Sequence, residues 1–396
     1  MTVNAAAIPL AAYVHLPWCI RKCPYCDFNS HAVHGAPPFD AYADGVARDI
    51  AWTAARLSSS PSRPLQSVFF GGGTPSLFAP RHIGKILDAL EKNFSFAADV
   101  EITLEANPGA AERKSFRGFR AAGVNRLSIG AQSFSDASLR AIGRVHNAAD
   151  AVRAAAAAHG AGFTNVNVDL MFALPGQDAA AAAADVAQAV ALAPAHLSVY
   201  QLTIEPNTVF HRRPPPLPDE DAAAAMQQRI ARQLAAAGYR RYEVSAYARG
   251  GFRCRHNLNY WRFGDYLGFG AGAHAKLSGG GGGIIREHRV RNPRRYLERA
   301  GGEGAVAGRR LLRGGELPLE FLMNALRLVD GFHPALFTER TGLPRQCLQS
   351  AVNAPRPAAL LAQSKNNIRT TARGFAMLND LLAEFTPPPV HATMAG

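Results

Sequence analysis

The sequence predicts an α/β protein: a partial (β/α)6-type barrel followed by a small C-terminal α+β domain of winged-helix-like type. Three observations carry this expectation. Over roughly the first 200 residues, short runs rich in Val, Ile and Phe alternate with stretches of helical composition, and such alternation means βαβ units with right-handed crossovers and a parallel sheet. The chain then breaks at Pro214, Pro215, Pro216 and Pro218, which cannot sit inside a helix. Beyond Glu316, the positions Leu319, Leu322, Met323 and Leu326 follow the i, i+3, i+4, i+7 spacing of a buried helical stripe.

Taken in order, the strand-like runs are Tyr13–Trp18, Val68–Phe70, Val100–Glu105, Arg126–Ile129, Val166–Phe172 and Leu197–Leu202. The intervening helices are expected over Phe39–Leu57, Arg81–Asn93, Ala111–Ala121, Ala148–His159 and Ala179–Leu192. Ala154–Ala158 and Ala179–Ala184 read as outer helices with small faces, because alanine is the best helix former. Six βα units are too many for a small open domain and suit a barrel. Barrel chemistry sits at the carboxyl ends of the strands, where Cys19, Gly71–Thr74, Glu105–Pro108 and Gln132 fall. Asp219 and Glu220 suit the positive start of a helix running to about Ala237. Gly279–Gly283 reads as a linker or hairpin tip. A strand near Ile368–Thr371 and a helix near Phe375–Phe385 complete the chain. The regions expected are 1–210, the barrel; 211–315, its extension; and 316–396, the C-terminal domain.

The chain of 396 residues carries 43 Lys+Arg against 30 Asp+Glu, a formal charge of +13, with 48% apolar and 18% charged residues. That composition belongs to folded chains and excludes a disordered one. No run approaches the ~18 apolar residues of a membrane span, which leaves peripheral contact as the only membrane association. The opening MTVNAAAIPLAA lacks the basic start of a secretory signal. A cytoplasmic protein is expected. Arg286–Arg313 holds nine Arg and three Glu, close to half of the basic excess. It reads as a solvated basic face able to meet ligand or protein carboxylates. No RNA-binding or zinc-finger signature accompanies it, so nucleic acid is not the partner expected.

Three of the five cysteines, Cys19, Cys23 and Cys26, lie in YVHLPWCIRKCPYCDFNSH (residues 13–31), spaced C-x3-C-x2-C after a strand. An odd, clustered count is a poor disulfide framework. Three thiolates on a short loop can hold three irons of a 4Fe–4S cube and leave the fourth iron open. The rival is structural zinc with His15 or His31 as fourth ligand, though zinc knuckles usually come in pairs. FGGGTPS at Phe70–Ser76 offers bare N–H groups to a carboxylate. Glu105, in LEANPG, can accept from a ribose hydroxyl or an ammonium. In HNLNYW (residues 256–261), His256 is a candidate haem-iron ligand, and Tyr260 and Trp261 offer flat faces to a porphyrin. His274 and Cys254 are weaker candidates for the same role.

The cysteine loop resembles the signature of the radical SAM superfamily, which implies a 4Fe–4S cluster and S-adenosylmethionine (SAM) as cofactors. That resemblance carries Gly72, Gly73 and Thr74 over to the methionine end of SAM. It places Glu105, Gln132, Arg144 (in GRVH) and Asp169 (in VDLMFALPGQ) in the nucleotide-binding set, and Tyr13 and Tyr25 beside cluster and adenine. Within the superfamily the chain resembles the HemN-like coproporphyrinogen III dehydrogenases, including their C-terminal domain. Their signature has a fourth cysteine two residues after the third, where this chain has Phe28. The better match is the HemW branch of haem chaperones, in the cysteine loop, HNLNYW and GDYLGFGAGAH (residues 264–274). This resemblance implies haem as cargo, an acceptor protein, homodimerisation, and no assigned catalytic residue. The alternatives are radical decarboxylation of a porphyrinogen and, less favoured, a nucleic-acid-binding regulator. The basic run could pair with haem propionates through Arg294 and Arg295.

Overall fold

Leu10–Leu16 (β1) is buried along almost its whole length, as a parallel strand covered on both faces must be. In the computed structural model, which describes residues 3–33, 35–58, 62–280, 283–353 and 359–385, it starts a six-unit parallel run. The following strands are Leu65–Gly72 (β2), Phe96–Ala106 (β3), Arg126–Gln132 (β4), Asn165–Phe172 (β5) and His196–Gln201 (β6). They lie side by side in chain order, all parallel. The helices between them are Phe39–Arg56 (α1), Pro80–Phe94 (α2), Ala110–Ala121 (α3), Ala148–Gly160 (α4) and Ala179–Ala191 (α5). Each falls within two residues of its expected bounds.

Local chemistry explains the boundaries. Asn147 accepts from Asp150 N–H while Asp150 reaches back to Asn147 N–H, a closed capping box at α4. Ala151, Ala154, Ala155 and Ala158 are then the buried face, so the alanine tract lets this helix lie close to the sheet. Asp178 caps α5 and Asp219 caps Glu220–Ala236 (α6), each accepting from the backbone three residues on. The outer helices and sheet enclose two apolar cores, one under α1–α4 and one under α5 and α6.

The sheet does not close; it extends at both edges. Ala246–Ala248 (β7) runs antiparallel beside β6. After Arg255–Trp261 (α7), Asp265–Phe269 (β8) pairs parallel with the free edge of β1. His274–Gly280 (β9), Gly283–Arg289 (β10) and, after Pro293–Arg299 (α8), Val306–Leu312 (β11) continue antiparallel. The glycine run is therefore a hairpin connection; Gly281 and Gly282 at its tip lie outside the described residues.

The arginine-rich run is not the uniformly solvated face expected. Arg289 is buried and bonded to Asp49, Glu287 and Thr53, while Arg309 meets Glu287 and Glu303. Arg286 reaches Glu320, Arg310 meets Glu316, and Arg294 meets Glu298. Burial of Arg289 without these carboxylates would leave a charge in the interior, so the run is partly an internal clamp.

Beyond it, Leu317–Ala325 (α9), Ala335–Thr341 (α10) and Arg345–Val352 (α11) pack with a two-stranded ribbon, Leu361–Gln363 (β12) and Ile368–Thr370 (β13). Two short helices, Ala372–Ala376 and Leu378–Ala383, replace the single last helix. The buried stripe of α9 is Leu317, Phe321, Leu322 and Ala325; Met323 is 50% exposed. The expected stripe missed Phe321, which stacks edge-on against Phe263, Phe332 and Phe337. Residues from 386 onward, the end of the 316–396 region, lie outside the described residues. Among the described residues no helix is long and apolar enough to cross a membrane.

Candidate functional site

At the carboxyl end of β1 the chain turns into the cysteine loop. Trp18–Cys19 pairs with His31–Ala32, so the loop closes on its own backbone. Lys22 donates to the carbonyls of Phe28 and Ser30 across it. His15 Nε2–H donates to Asn29 O (2.9 Å), and its Nδ1 accepts from Tyr13 Oη–H (3.0 Å). With both nitrogens used, His15 is removed as a zinc ligand. Among the described residues no three His, Cys, Asp or Glu side chains are arranged to hold a single metal ion.

The glycine loop at the end of β2 is tied to the cysteine loop by Gly73 N–H to Leu16 O and Thr74 N–H to Trp18 O. Gly72 has φ +118°, and a Cβ at Gly73 would stand 2.6 Å from Trp18 O. Only glycine allows this approach. The three thiols, all half-buried, line one cavity of about 260 Å3. Gly72, Gly73, Thr74, Glu105, Gln132, Arg144, Asp169 and Tyr25 line it too. Tyr13 does not; its ring lies on Phe69, in the neighbouring cavity. Three thiols around one cavity, with no single-ion site, fit a polynuclear cluster with room for a ligand beside it.

The charged groups in this cavity come from separate strands. Gly72 N–H donates to Glu105 Oε2 (3.3 Å). Burial, and then the nearby Asp169, push the Glu105 pKa up to about 8. Burial raises Asp169 as well, although Ser128 and Asn167 donate to it. Two half-buried carboxyls without full compensation can receive an ammonium or hydroxyl donors. Arg144 donates to Cys23 Sγ (3.7 Å), Gly130 O (2.9 Å) and Asn107 Oδ1 (2.6 Å), and Asn107 also donates to Thr74. Gln132, left-handed at φ 67°, accepts from Tyr200 Oη–H at 2.6 Å. Asn107 and Tyr200 escaped the sequence reading. Asn107 was legible as the fourth residue of LEANPG; Tyr200 carried no signal.

A second cavity, about 730 Å3, shares Phe28, Gly72, Glu105, Ser128 and Asp169 with the first. Tyr13, Phe69, His256, Tyr260 and Tyr266 give it aromatic walls, and His274, His288 and Arg291 also line it. HNLNYW, on α7, is divided by its helix. His256, Asn257 and Tyr260 line the cavity, while Trp261 faces away and lies under the Arg327 guanidinium, 4.3 Å from its ring. His256 is buried, its Nδ1 paired with Ser67 Oγ (3.0 Å) and its Nε2 with Tyr260 Oη (3.1 Å). Burial, and then Arg126, lower its pKa to about 3. Cys254 lies outside both cavities, fully buried against Glu101, with its thiol pushed up to about 12, first by burial. Arg294 and Arg295 line neither cavity; of that run, Arg291 does.

Comparison with known proteins gives these cavities a family. Residues 13–187 match the radical SAM superfamily and residues 314–377 the HemN C-terminal domain. The chain is 43% identical to the heme chaperone HemW of Escherichia coli K12 over 382 residues, covering 95% of this chain and 98% of that protein. HemW of Haemophilus influenzae is likewise 43% identical over 378 residues, covering 95% and 98%. A mouse mitochondrial radical S-adenosyl methionine domain-containing protein 1 is 37% identical over 403 residues, covering 97% and 89%. In fold, the chain is similar to coproporphyrinogen III oxidase (HemN) of Escherichia coli, with TM-score 0.80 at 22% identity over 96% of this chain and 92% of that one. The cofactors of a radical SAM domain are a 4Fe–4S cluster and SAM, and the three thiols line one cavity with the glycine loop, Glu105 and Asp169. The chain belongs to the HemW family of the radical SAM superfamily.

Proposed function

We propose that this protein carries haem and passes it to an acceptor protein, with Cys19, Cys23 and Cys26 holding the cluster. One observation supports this reading above the others: a thiol-lined cavity and a larger aromatic cavity share a wall. Cys19, Cys23 and Cys26 would hold the cluster, which when bound would supply one-electron chemistry toward the sulfonium of SAM. The chain's own residues then have separate tasks. The N–H groups of Gly72, Gly73 and Thr74 are taken by Glu105, Leu16 and Trp18, so the bare N–H donors expected of this loop are spent within the fold. The glycine loop instead brings its backbone close beside the methionine end of SAM, and Glu105 accepts from the SAM ammonium or ribose. Arg144 and Asn107 fix Cys23 against the glycine loop, Tyr200 orients Gln132, and Asp169 and Tyr25 complete the nucleotide side. The aromatic cavity, including Tyr260, takes the haem. The regions 1–210, 211–315 and 316–396 would serve as cofactor barrel, cargo wall and buttress. Free cysteines at all five positions suit the reducing cytoplasm.

Phe28, 59% exposed, lines both cavities where the porphyrinogen dehydrogenases carry a further cysteine. It is the residue that separates the two readings. Cluster-loaded protein incubated anaerobically with SAM, a reductant and coproporphyrinogen III should yield no sustained protoporphyrinogen. The same protein loaded with hemin should release haem to an apo-haem enzyme at a rate that rises with acceptor concentration. Sustained porphyrinogen turnover would overturn the chaperone reading.

A further inference from the structure

Two imidazoles stand at the aromatic cavity with no hydrogen-bond partner among the described residues. His274 on β9 and His288 on β10 are directly paired across the hairpin. Their rings are 5.4 Å apart and within 23° of parallel, and both line the cavity. On its other side His288 pairs with Gly308 of β11. A Cβ at Gly308 would stand 2.4 Å from His288 Cε1, so the glycine lets that ring lie flat on the backbone. His288 is thus held between Gly308 and His274, while His274 keeps its free face and both nitrogens for a ligand. His256, by contrast, has both nitrogens bonded within the wall.

We infer that His274 ligates the iron of the haem cargo, that His288 fixes the plane of its ring, and that Arg291 meets a propionate at the same mouth. This rests on the haem-carrying reading above. Arg291 forms no carboxylate pair among the described residues, unlike Arg286, Arg289 and Arg309 of the same run, so its guanidinium is free for an anionic ligand. The cavity volume of about 730 Å3 lies within the roughly 300–1,000 Å3 of ligand pockets. Partial burial, then His288, Arg286 and Arg291, lower the His274 pKa, which keeps the imidazole in the neutral form that binds iron. Ligation needs no proton transfer: a neutral nitrogen lone pair fills one axial position.

The test is an anaerobic hemin titration of the full, cluster-loaded chain, read by Soret position, affinity and iron spin state. His274→Gly should weaken binding at least tenfold and shift the Soret band, and added imidazole should restore the wild-type spectrum. His274→Tyr, should the glycine variant fold poorly, should give a high-spin phenolate-type spectrum in place of the imidazole one. His288→Ala should weaken binding less and broaden the spectrum without moving the band. A wild-type chain with no saturable binding overturns the haem-carrying reading itself. A wild-type chain that binds, beside His274 variants with the same spectrum and affinity, overturns only this assignment. Lost binding that imidazole does not rescue overturns the ligand role as well.

Discussion

At the scale of single residues, His256 is a packed structural imidazole, and this has a pH signature. Its folded pKa is about 3 because of burial and Arg126, against the ordinary 6.5. His15 and His146 are lowered to about 4, chiefly by burial. The unfolded chain takes up these protons near pH 6.5, and the folded chain does so only near 3–4. The part of the stability that depends on these imidazoles is therefore full above pH 6.5 and falls as pH drops through that window. In thermal denaturation these three imidazoles should add no slope to Tm above pH 6.5 and a decline below it, beside the opposite slope of Glu105, whose pKa raised to about 8 removes stability as pH rises from its ordinary value of 4.5. His256→Gln should lower Tm throughout and flatten part of the decline; an unchanged slope would contradict a neutral buried imidazole. The cysteines, glycines and Glu105 were legible because their chemistry is local: spacing, conformational freedom, a strand end. The state of His256 was not, because Ser67, which occupies its Nδ1, lies 189 residues away.

At the scale of elements, α7 is placed by an acid on β3. The Glu101 carboxylate accepts from Arg255 N–H (2.9 Å) and His256 N–H (3.1 Å) and from the Cys254 thiol (3.6 Å). It caps the positive end of the helix and fixes where His256 and Tyr260 enter the cavity wall. Glu101→Gln should destabilise the chain by about 2–3 kcal/mol in chemical denaturation, since hydrogen bonds to a charged group are being weakened in the interior. In the C-terminal region, Phe321→Ala should cost about 3–5 kcal/mol, and Met323→Ala, at an exposed position, little. The reverse order would reject the observed stripe. Sequence periodicity located this helix but not its inward face, which is set by contacts from Phe263, Phe332 and Phe337. The six βα units were legible, the helices to within two residues and the strands to within four, because each strand and helix carries its own propensity and punctuation.

At the scale of the whole molecule, the sheet's extension past β1 builds one side of the aromatic cavity, and it is held to the barrel by buried charge. Asp49 on α1 accepts from Arg289 and from Tyr296 at 2.9 Å each. Glu287 joins Arg56, Arg289 and Arg309. Asp49→Ala leaves Arg289 buried without that partner and should cost about 3–5 kcal/mol, with loss of haem binding before loss of the cluster. The edge pairing of β8 with β1 was beyond the sequence reading, because a parallel partner more than 250 residues away leaves no local pattern.

The central claim, that the aromatic cavity beside the thiol-lined one receives haem, is tested most directly by counting. Anaerobically purified, cluster-loaded protein titrated with hemin should saturate at one haem per chain at the Soret band. Saturation should persist in Cys19→Ala, Cys23→Ala, Cys26→Ala protein that holds no cluster, because the haem wall is formed by other residues. Linear, unsaturable uptake by the loaded chain would contradict the account.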